Sequence, residues 1–505
     1  MDNYFVFETI NNNKYIFDNN TGFVMPFTDI DEYIICNFEQ LDRTTMYLNL
    51  KEIFNISEKE FNNRYSIIEN YRTMGIWINK REPKYITKDQ YFKKLMDYPA
   101  SQLILIVTNE CNMRCKYCIY SEMYPNTITY SSKKMDFQVA KRAIEYYMEL
   151  HKKKVLQGYR KAPLITFYGG EPLLEYKLIK KIVQYIKNNY ENEVEYYITT
   201  NGLLMNEEVS EFFLKNKFRV TLSLDGDKLN HDRNRVTKDL KGTHKIIMKN
   251  LTKYFEMHNA MNKEMQPMLS FNCCFDDYSS ANAIIDFFNN NSLLRDKEFY
   301  VFFSQINPYG DTKYYDYCDE CAKQGIIKSN KNTWRMEMQQ IHDEFLEKIK
   351  LGKKVSMPEK SLFASYYFFR NRGISQMPNT CNSCIPGSKI AVNAEGDFFI
   401  CERMVERFPI GNINSGLDWS FIKPLFEQFF EIVESNCSDC KVSKMCQLCF
   451  MHLSFGKEDK LEFNKRFCET TKNQLKELIS NMYSILEINP DAFKEENLYD
   501  REKIF

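Results

Sequence analysis

Leu103–Tyr120 reads LILIVTNECNMRCKYCIY, and the fold turns on this stretch. LILIVT is apolar to its last residue, the pattern of a strand buried on both faces, as strands of parallel sheets are. Directly after it come Cys111, Cys115 and Cys118, spaced C-x3-C-x2-C. In α/β sheets the loops at the C-terminal strand ends carry the chemistry. Zinc takes four tetrahedral ligands, and no fourth Cys or His stands nearby in sequence. Three thiolates suit a [4Fe–4S] cluster whose open iron takes an exogenous ligand.

Working outward, strand, loop and helix repeat. Apolar stretches stand at LITFY (164–168), EYYITT (195–200), RVTLSL (219–224), MLSFNCCF (268–275) and FYVFFS (299–304). Between them Phe137, Ala140, Ile144, Tyr147 and Met148 fall on one helical face, and 175–190, 207–216, 243–258 and 280–290 follow similar periods. The alternation predicts a parallel sheet of βαβ units. Upstream, YFVFETI, NNNKYIFDN, GFVMPF and YIICNF read as short strands. Helical spacing then runs from Leu50 to Ile78, with Ser57 and Glu60 as a capping-box start before Phe61, Tyr65, Ile68 and Tyr71. Together they form a small α+β module. Near Asn379 the pattern becomes loop-rich and dominated by cysteine.

Composition narrows the function classes. Lys+Arg and Asp+Glu each number 68 in 505 residues. A net charge of zero excludes a surface built wholly for nucleic acid or anionic membrane, which needs a basic excess. The N-terminus MDNYFVFETI lacks the regions of a signal peptide, and no apolar run reaches the roughly 18 residues of a membrane span. A cytoplasmic location is expected, and there 16 cysteines point to metal ligation, catalysis or burial rather than disulfides.

Cys111, Cys115 and Cys118, with Tyr117 before the last, resemble the signature of radical S-adenosylmethionine (SAM) enzymes. In that family the open iron chelates the amino and carboxylate groups of SAM, and reductive cleavage yields a 5′-deoxyadenosyl radical that abstracts a substrate hydrogen. The resemblance extends along the chain. Gly169, Gly170 and Glu171, with Pro172, are similar to the loop that receives the amino group of SAM. Asn201, Ser223 and Asp225 stand at the strand-end positions used around the ribose, and Arg235, in HDRNR, matches the partner of the SAM carboxylate.

Cys381, Cys384, Cys401, Cys437, Cys440, Cys446, Cys449 and Cys468 make two sets of four thiols. Their spacing resembles the SPASM domain of peptide- and protein-modifying relatives, which holds two auxiliary [4Fe–4S] clusters. The consensus has three residues between the third and fourth cysteines of the second run, and this chain has two. The resemblance implies one cluster on Cys381, Cys384, Cys401 and Cys449 and another on Cys437, Cys440, Cys446 and Cys468. It therefore implies about twelve irons per chain; the competing reading is a pair of zinc sites in a non-catalytic scaffold. Five thiols remain. Cys36, Cys273 and Cys274 sit in apolar strands and read as buried, and Cys318-x2-Cys321 reads as an incidental loop feature.

The N-terminal strands and helices resemble the winged-helix recognition element of peptide-modifying enzymes, which holds a leader peptide by strand addition. Deleting it is expected to abolish precursor binding. The implied architecture is α/β, a partial (β/α)6 TIM-like barrel over 98–310. A leader-binding module fills 1–90, a bridging helical and loop region 311–378, a SPASM domain 379–475 and a helical tail 476–505. The implied activity is maturation of a cysteine-containing precursor peptide by a thioether link of the sactipeptide or ranthipeptide type, an auxiliary cluster accepting the leftover electron. The implied partners are that precursor and an electron donor such as flavodoxin or ferredoxin, with no nucleic acid or membrane. Glu402, directly after Cys401, stands where sulfatase-maturing relatives carry an acidic base. A carbon–carbon link, or oxidation of a protein Cys or Ser, is the alternative within the family.

Overall fold

The computed structural model describes residues 4–19, 21–76, 88–124, 128–262, 266–295, 297–306, 312–371, 386–404, 406–455 and 460–494. Strands β1 (Tyr4–Glu8), β2 (Lys14–Asp18) and β3 (Val24–Pro26) form an antiparallel sheet in that order. Three helices follow, α1 (Asp29–Asn37), α2 (Arg43–Phe54) and α3 (Glu58–Thr73). YIICNF, expected as a strand, lies in α1 apart from Phe38. Thr28 and Asp31 form a capping box that starts the helix, and this local signal overrides the strand propensity of Ile34 and Ile35. Cys36, expected to be buried, is consequently exposed. Ser57 caps α3 by accepting from the Glu60 amide, while the Glu60 carboxylate turns to Arg64 (3.4 Å). Ile16, Ile34, Met46, Leu50, Phe61 and Ile68 fill a core belonging to this module. Trp77 and Ile78, the end of the MGIWI segment, lie outside the described residues.

Helix α4 (Lys88–Asp97) leads into the main sheet, whose strands are β4 (Leu103–Thr108), β5 (Leu164–Gly169), β6 (Glu195–Thr200), β7 (Arg219–Ser223), β8 (Leu269–Phe275) and β9 (Phe299–Gln305). All six pair in parallel and in sequence order. Between them stand α5 (Phe137–Leu156), α6 (Tyr176–Asn189), α7 (Glu207–Lys215), α8 (Lys228–Asn234), α9 (His244–Asn259) and α10 (Ala281–Asn290). This is the partial barrel that the alternation predicts. β4 is buried at every position. Leu103, Leu105 and Val107 pack in the main core with Ile144 and Tyr147 of α5, and Ile104 and Ile106 pack on the other face with Tyr120, Ile128 and Phe399.

Helices α11 (Tyr314–Lys323), α12 (Thr333–Lys350), α13 (Met357–Leu362) and α14 (Ala364–Asn371) follow. The Val301 amide of β9 donates to Ser361 Oγ of α13, which covers that edge of the sheet (3.4 Å). Cys318 and Cys321 therefore lie on a helix rather than in a loop. Tyr314, Cys318 and Cys321 recur three or four residues apart on its buried face.

At the opposite edge the barrel does not close. β10 (Ile390–Val392) pairs in parallel with β4, and β11 (Asp397–Phe399), β12 (Gly411–Asn412) and β13 (Gly416–Leu417) continue the sheet antiparallel, giving one sheet of ten strands. Helix α15 (Trp419–Cys437) follows, then β14 (Ser454–Phe455) paired with β15 (Leu461–Glu462), then α16 (Lys465–Leu486). α16 is one helix across residue 475, so the expected tail continues the helix that carries Cys468. Among the described residues no helix is long and apolar enough to cross a membrane.

The entry to β4 is braced from α5. Tyr147 Oη donates to Ser101 O (3.2 Å) and accepts from the Leu164 amide (2.9 Å). Lys154 is 2% exposed, donates from Nζ to Ala100 O (2.7 Å) and lies 4.8 Å from the Tyr159 ring centre. Burial holds its ammonium down to about 8, against 10.5 for a free lysine. Between pH 8 and 10.5 the unfolded chain binds the additional proton at this site, so the contribution of Lys154 to the stability of the metal-free protein rises with pH across that window, taken as the difference between parent and variant, and is flat below it. Lys154→Met should remove the rise, as read from urea midpoints across the same range.

Candidate active site and cysteine centres

The loop after β4 is fastened from two sides by backbone. On one side the Gly170 amide donates to Thr108 O and the Glu171 amide to Glu110 O, both at 2.9 Å. The approach leaves no room for side chains. A Cβ on Gly169 would stand 2.3 Å from Thr108 O, one on Gly170 2.3 Å from Glu110 O, and Gly169 has φ +139°. On the other side the Arg114 amide donates to Val236 O (2.8 Å) and the Lys116 amide to Asn234 O (3.0 Å).

Glu171, 1% exposed, accepts from the Leu173 amide (3.0 Å), Thr200 Oγ1 (2.7 Å) and the Asn201 amide (2.7 Å). Its carboxylate thus joins the ends of β5 and β6. Asn201 Nδ2 donates to Asn112 Oδ1 (2.8 Å) and lies 3.7 Å from Cys111 Sγ. Ser223 ends β7 opposite Asn272 of β8.

Tyr117, Asp225 and Arg235 meet. Tyr117 Oη donates to Asp225 Oδ2 (2.5 Å) and accepts from Arg235 Nη1 (2.7 Å), so one hydroxyl bridges a buried carboxylate and a buried guanidinium. Burial pushes the Asp225 carboxyl up, and the Arg235 charge opposes the shift. Arg235 is 6% exposed and its Nε is buried without a partner. That orphaned donor fits an anionic ligand group, as the SAM carboxylate requires.

The other residues of HDRNR hold this arrangement in place. His231 accepts from the Asp225 amide at Nδ1 (3.2 Å) and contacts Thr243 Oγ1 through Nε2 (3.0 Å), while Thr243 Oγ1 donates to Arg235 O (2.9 Å). The network assigns the proton to Nε2. Asp232 accepts from the Thr243 and His244 amides at the start of α9. Arg233 forms a fork with Asp276 (2.7 and 2.9 Å), and Asp276 also accepts from Tyr314 Oη (2.5 Å).

Cys111 and Cys115 are buried and Cys118 half-buried, mutual electrostatic neighbours whose thiols burial pushes up, to about 12 for Cys111 and Cys115. They are protonated at neutral pH without metal, so ligation releases protons and is favoured as pH rises. Amides already face the sulfurs. Met113 donates to Cys111 (3.4 Å) and Tyr120 to Cys118. The C-terminal set repeats the device, with Val442 donating to Cys440, and Leu448 and Gln447 to Cys446. Cys437, Cys440, Cys446 and Cys468 neighbour one another, and Lys472, one turn beyond Cys468 on α16, donates to it and sits close to Cys440 and Cys437. Amides and a cation around grouped sulfurs are the surroundings that thiolates bound to iron require. Among the described residues no three Cys, His, Asp or Glu side chains stand close enough to hold a metal ion together, so the thiols would have to draw together to ligate one. None of the described cysteines is in a disulfide, and Cys381 and Cys384 lie outside the described residues.

Beyond β11, Cys401, Glu402 and Arg403 reach the barrel mouth. Burial raises the Tyr168 hydroxyl at the end of β5, with the Glu402 carboxylate and Arg403 guanidinium beside it. Glu402 Oε2 is buried without a hydrogen-bond partner. Arg403 also stands near His452, whose imidazole is held down to about 4 by burial and then by that charge, so the segments following Cys401 and Cys449 come together. Sequence reading missed Cys274. Its neighbour Cys273 is fully buried in the main core, whereas Cys274 faces the other way, its amide donating to Asp225 Oδ1 (2.9 Å) and its thiol near Arg235 and Arg403. Strand alternation was the available signal.

Residues 105–260 match the Radical SAM superfamily. The radical SAM cyclopropyl synthase TigE of Paramaledivibacter caminithermalis is 26% identical over 411 residues, 77% of this chain and 76% of that protein. A cysteine-type anaerobic sulfatase-maturating enzyme of Clostridium perfringens is 26% identical over 393 residues, 74% and 95% respectively. The solved structure of anSMEcpe with bound AdoMet and Cp18Cys peptide shares the fold with a TM-score of 0.54 at 22% identity, covering 77% of this chain and 99% of that one.

Gly170→Ala places a Cβ against Glu110 O and should displace the cysteine loop. If the three cysteine sets each hold a four-iron cluster, anaerobic iron loading should fall by about four of about twelve irons per chain, with the C-terminal sets still filled. Iron and sulfide analysis checks this.

Proposed function

We propose that this chain, whose residues 105–260 match the Radical SAM superfamily, matures a ribosomally made, cysteine-containing precursor peptide by joining a cysteine sulfur to a carbon of another residue. The observation that carries this reading is the meeting of two distant segments at one mouth. The Cys111 loop with its Tyr117–Asp225–Arg235 bridge and the Cys401–Arg403 segment both border Tyr168 and Cys274. When bound, SAM on a [4Fe–4S] cluster supplies a carbon-centred radical that removes a substrate hydrogen.

In this reading Cys111, Cys115 and Cys118 hold the cluster, Arg235 pairs with the SAM carboxylate, and the Gly169–Gly170 backbone receives its amino group. Asn201, Ser223 and Asp225 border the ribose. Tyr117 holds Arg235 and Asp225 in a fixed relation, so the guanidinium keeps its aim in a desolvated chamber. Glu402 takes the proton of the substrate thiol as its sulfur bonds to the carbon left by hydrogen removal, and the one electron released would pass to an auxiliary cluster. The cysteines from Cys381 to Cys468 hold two auxiliary clusters, with an external donor such as flavodoxin or ferredoxin supplying electrons.

The N-terminal module supports a peptide substrate. α16 covers β1, with the Ile10 amide donating to Ser484 Oγ (2.9 Å), so β3 is the edge of the three-stranded sheet left for an added strand. A leader would add there through its backbone. The relatives support peptide or protein substrates. The likeness to TigE, a cyclopropyl synthase, favours a second reading, carbon–carbon closure within the peptide.

The test is co-expression with a small cysteine-rich reading frame beside the gene, followed by mass spectrometry. Thioether formation predicts a loss of about two mass units per link, one for each hydrogen removed, together with blocked alkylation of the linked cysteine. The same loss with alkylation intact identifies carbon–carbon closure. Glu402→Gln should slow linkage by about 100-fold or more, while 5′-deoxyadenosine still forms without peptide. An unchanged linkage rate removes Glu402 from the chemistry.

A further inference from the structure

Asn19 directly follows β2 and is 1% exposed. Although it belongs to the N-terminal module, its side chain is held by the loop between Cys440 and Cys446. Asn19 Nδ2 donates to Ser443 Oγ (3.0 Å) and Cys440 O (3.3 Å), and Oδ1 accepts from the Lys444 amide (3.1 Å). The same loop turns on itself, with the Ser443 amide donating to Cys440 O and the Cys446 amide to Ser443 O, both at 3.2 Å. This turn carries the Val442 amide that faces Cys440 Sγ. Around the carboxamide, Phe5, Phe7 and Phe17 pack with Val442, Met445 and Ile479.

We propose that Asn19 is a positioning residue for the centre formed by Cys437, Cys440, Cys446 and Cys468, and that the N-terminal module forms one wall of that centre. The proposal rests on reading these four thiols as iron–sulfur ligands. Asn19 acts through the turn. By holding Cys440 O, Ser443 and the Lys444 amide together, it fixes the aim of the Val442 amide at the Cys440 sulfur, and amide–sulfur hydrogen bonds tune such centres. Deleting residues 1–90 therefore does more than remove a leader site. It strips the turn and uncovers the apolar surface of Val442, Met445 and Ile479, so leader binding is better tested by point changes along β3.

The experiment compares full-length parent, Asn19→Ala and Ser443→Ala proteins. In the metal-free chains, iodoacetamide labelling is timed and mapped by mass spectrometry. Asn19→Ala, which withdraws all three bonds, should label Cys440 and Cys446 about 10-fold faster or more, each bond alone being worth about 2- to 10-fold, with Cys111 and Cys115 unchanged. Ser443→Ala, which withdraws one of the three bonds, should give a smaller change of the same sign. After anaerobic loading, electron paramagnetic resonance of Asn19→Ala should show an altered C-terminal signal and an unaltered signal from the Cys111 centre. Labelling and spectra identical to the parent in both variants overturn the proposal, as does uniform acceleration at Cys111 and Cys440, which marks general loosening. If the parent takes up zinc at these thiols, the iron–sulfur reading fails, and the labelling pattern still decides whether Asn19 holds the turn.

Discussion

Two backbone hydrogen bonds, Gly170 to Thr108 and Glu171 to Glu110, set the position of everything at the barrel mouth. They form only because Gly169 and Gly170 lack side chains where the neighbouring strand end passes. From that contact the Glu171 carboxylate fixes Thr200 and the Asn201 amide, and Asn201 in turn reaches Asn112 beside Cys111. The opposite side is closed by HDRNR, where each residue has a separate task and only Arg235 keeps a buried donor unengaged. The result is a ring of hydrogen bonds around three thiols. Removing Asp225 or Arg235 from water is costly, and breaking one member of such a bridge leaves an uncompensated buried charge. The Tyr117 hydroxyl makes the pair tolerable while leaving the guanidinium free to take a further anion.

Much of this was legible in the sequence because it rests on local periodicity. Each strand from 103 to 304 and the helices α5, α6, α7, α9 and α10 follow their apolar spacing, whereas the polar α8 does not, and the cysteine triplet stands at a strand end as the alternation requires. YIICNF reads as a strand because two adjacent isoleucines suit a strand as well as a helix; the Thr28–Asp31 box that decides between them carries the same hydroxyl-x-x-acid spacing as Ser57–Glu60 and was the available signal. The burial expected of Cys36 failed with it. Cys318 and Cys321 were placed in a loop although Tyr314 continues their helical spacing.

What no local pattern shows is pairing across the chain. β10 extending β4, Cys274 facing Arg403 and Asn19 entering the Cys440 turn join segments whose partners are set by packing, not by their own periodicity. Gly169–Gly170 illustrates the boundary between the two. The pair is visible as a motif, but the reason for it, the path of Thr108 and Glu110, exists only once the sheet is assembled.

The ten-stranded sheet and the clasp between β1 and α16 have a consequence for how the chain comes into being. Ser101 meets Ser388 across 287 positions, and Ile10 meets Ser484 across 474. Contacts of such separation are slow to form, and domains made during synthesis fold in the order they emerge. The first module can gather its own core early, yet the surface of α16 on which it packs is made only after every strand of the main sheet. Until then Phe5, Phe7 and Phe17 and the outer edge of β4 are uncovered, and the thiols of the C-terminal half have no finished walls. A metal centre on Cys437, Cys440, Cys446 and Cys468 would accordingly gain its full set of walls only once α16 has been made and has met the N-terminal module.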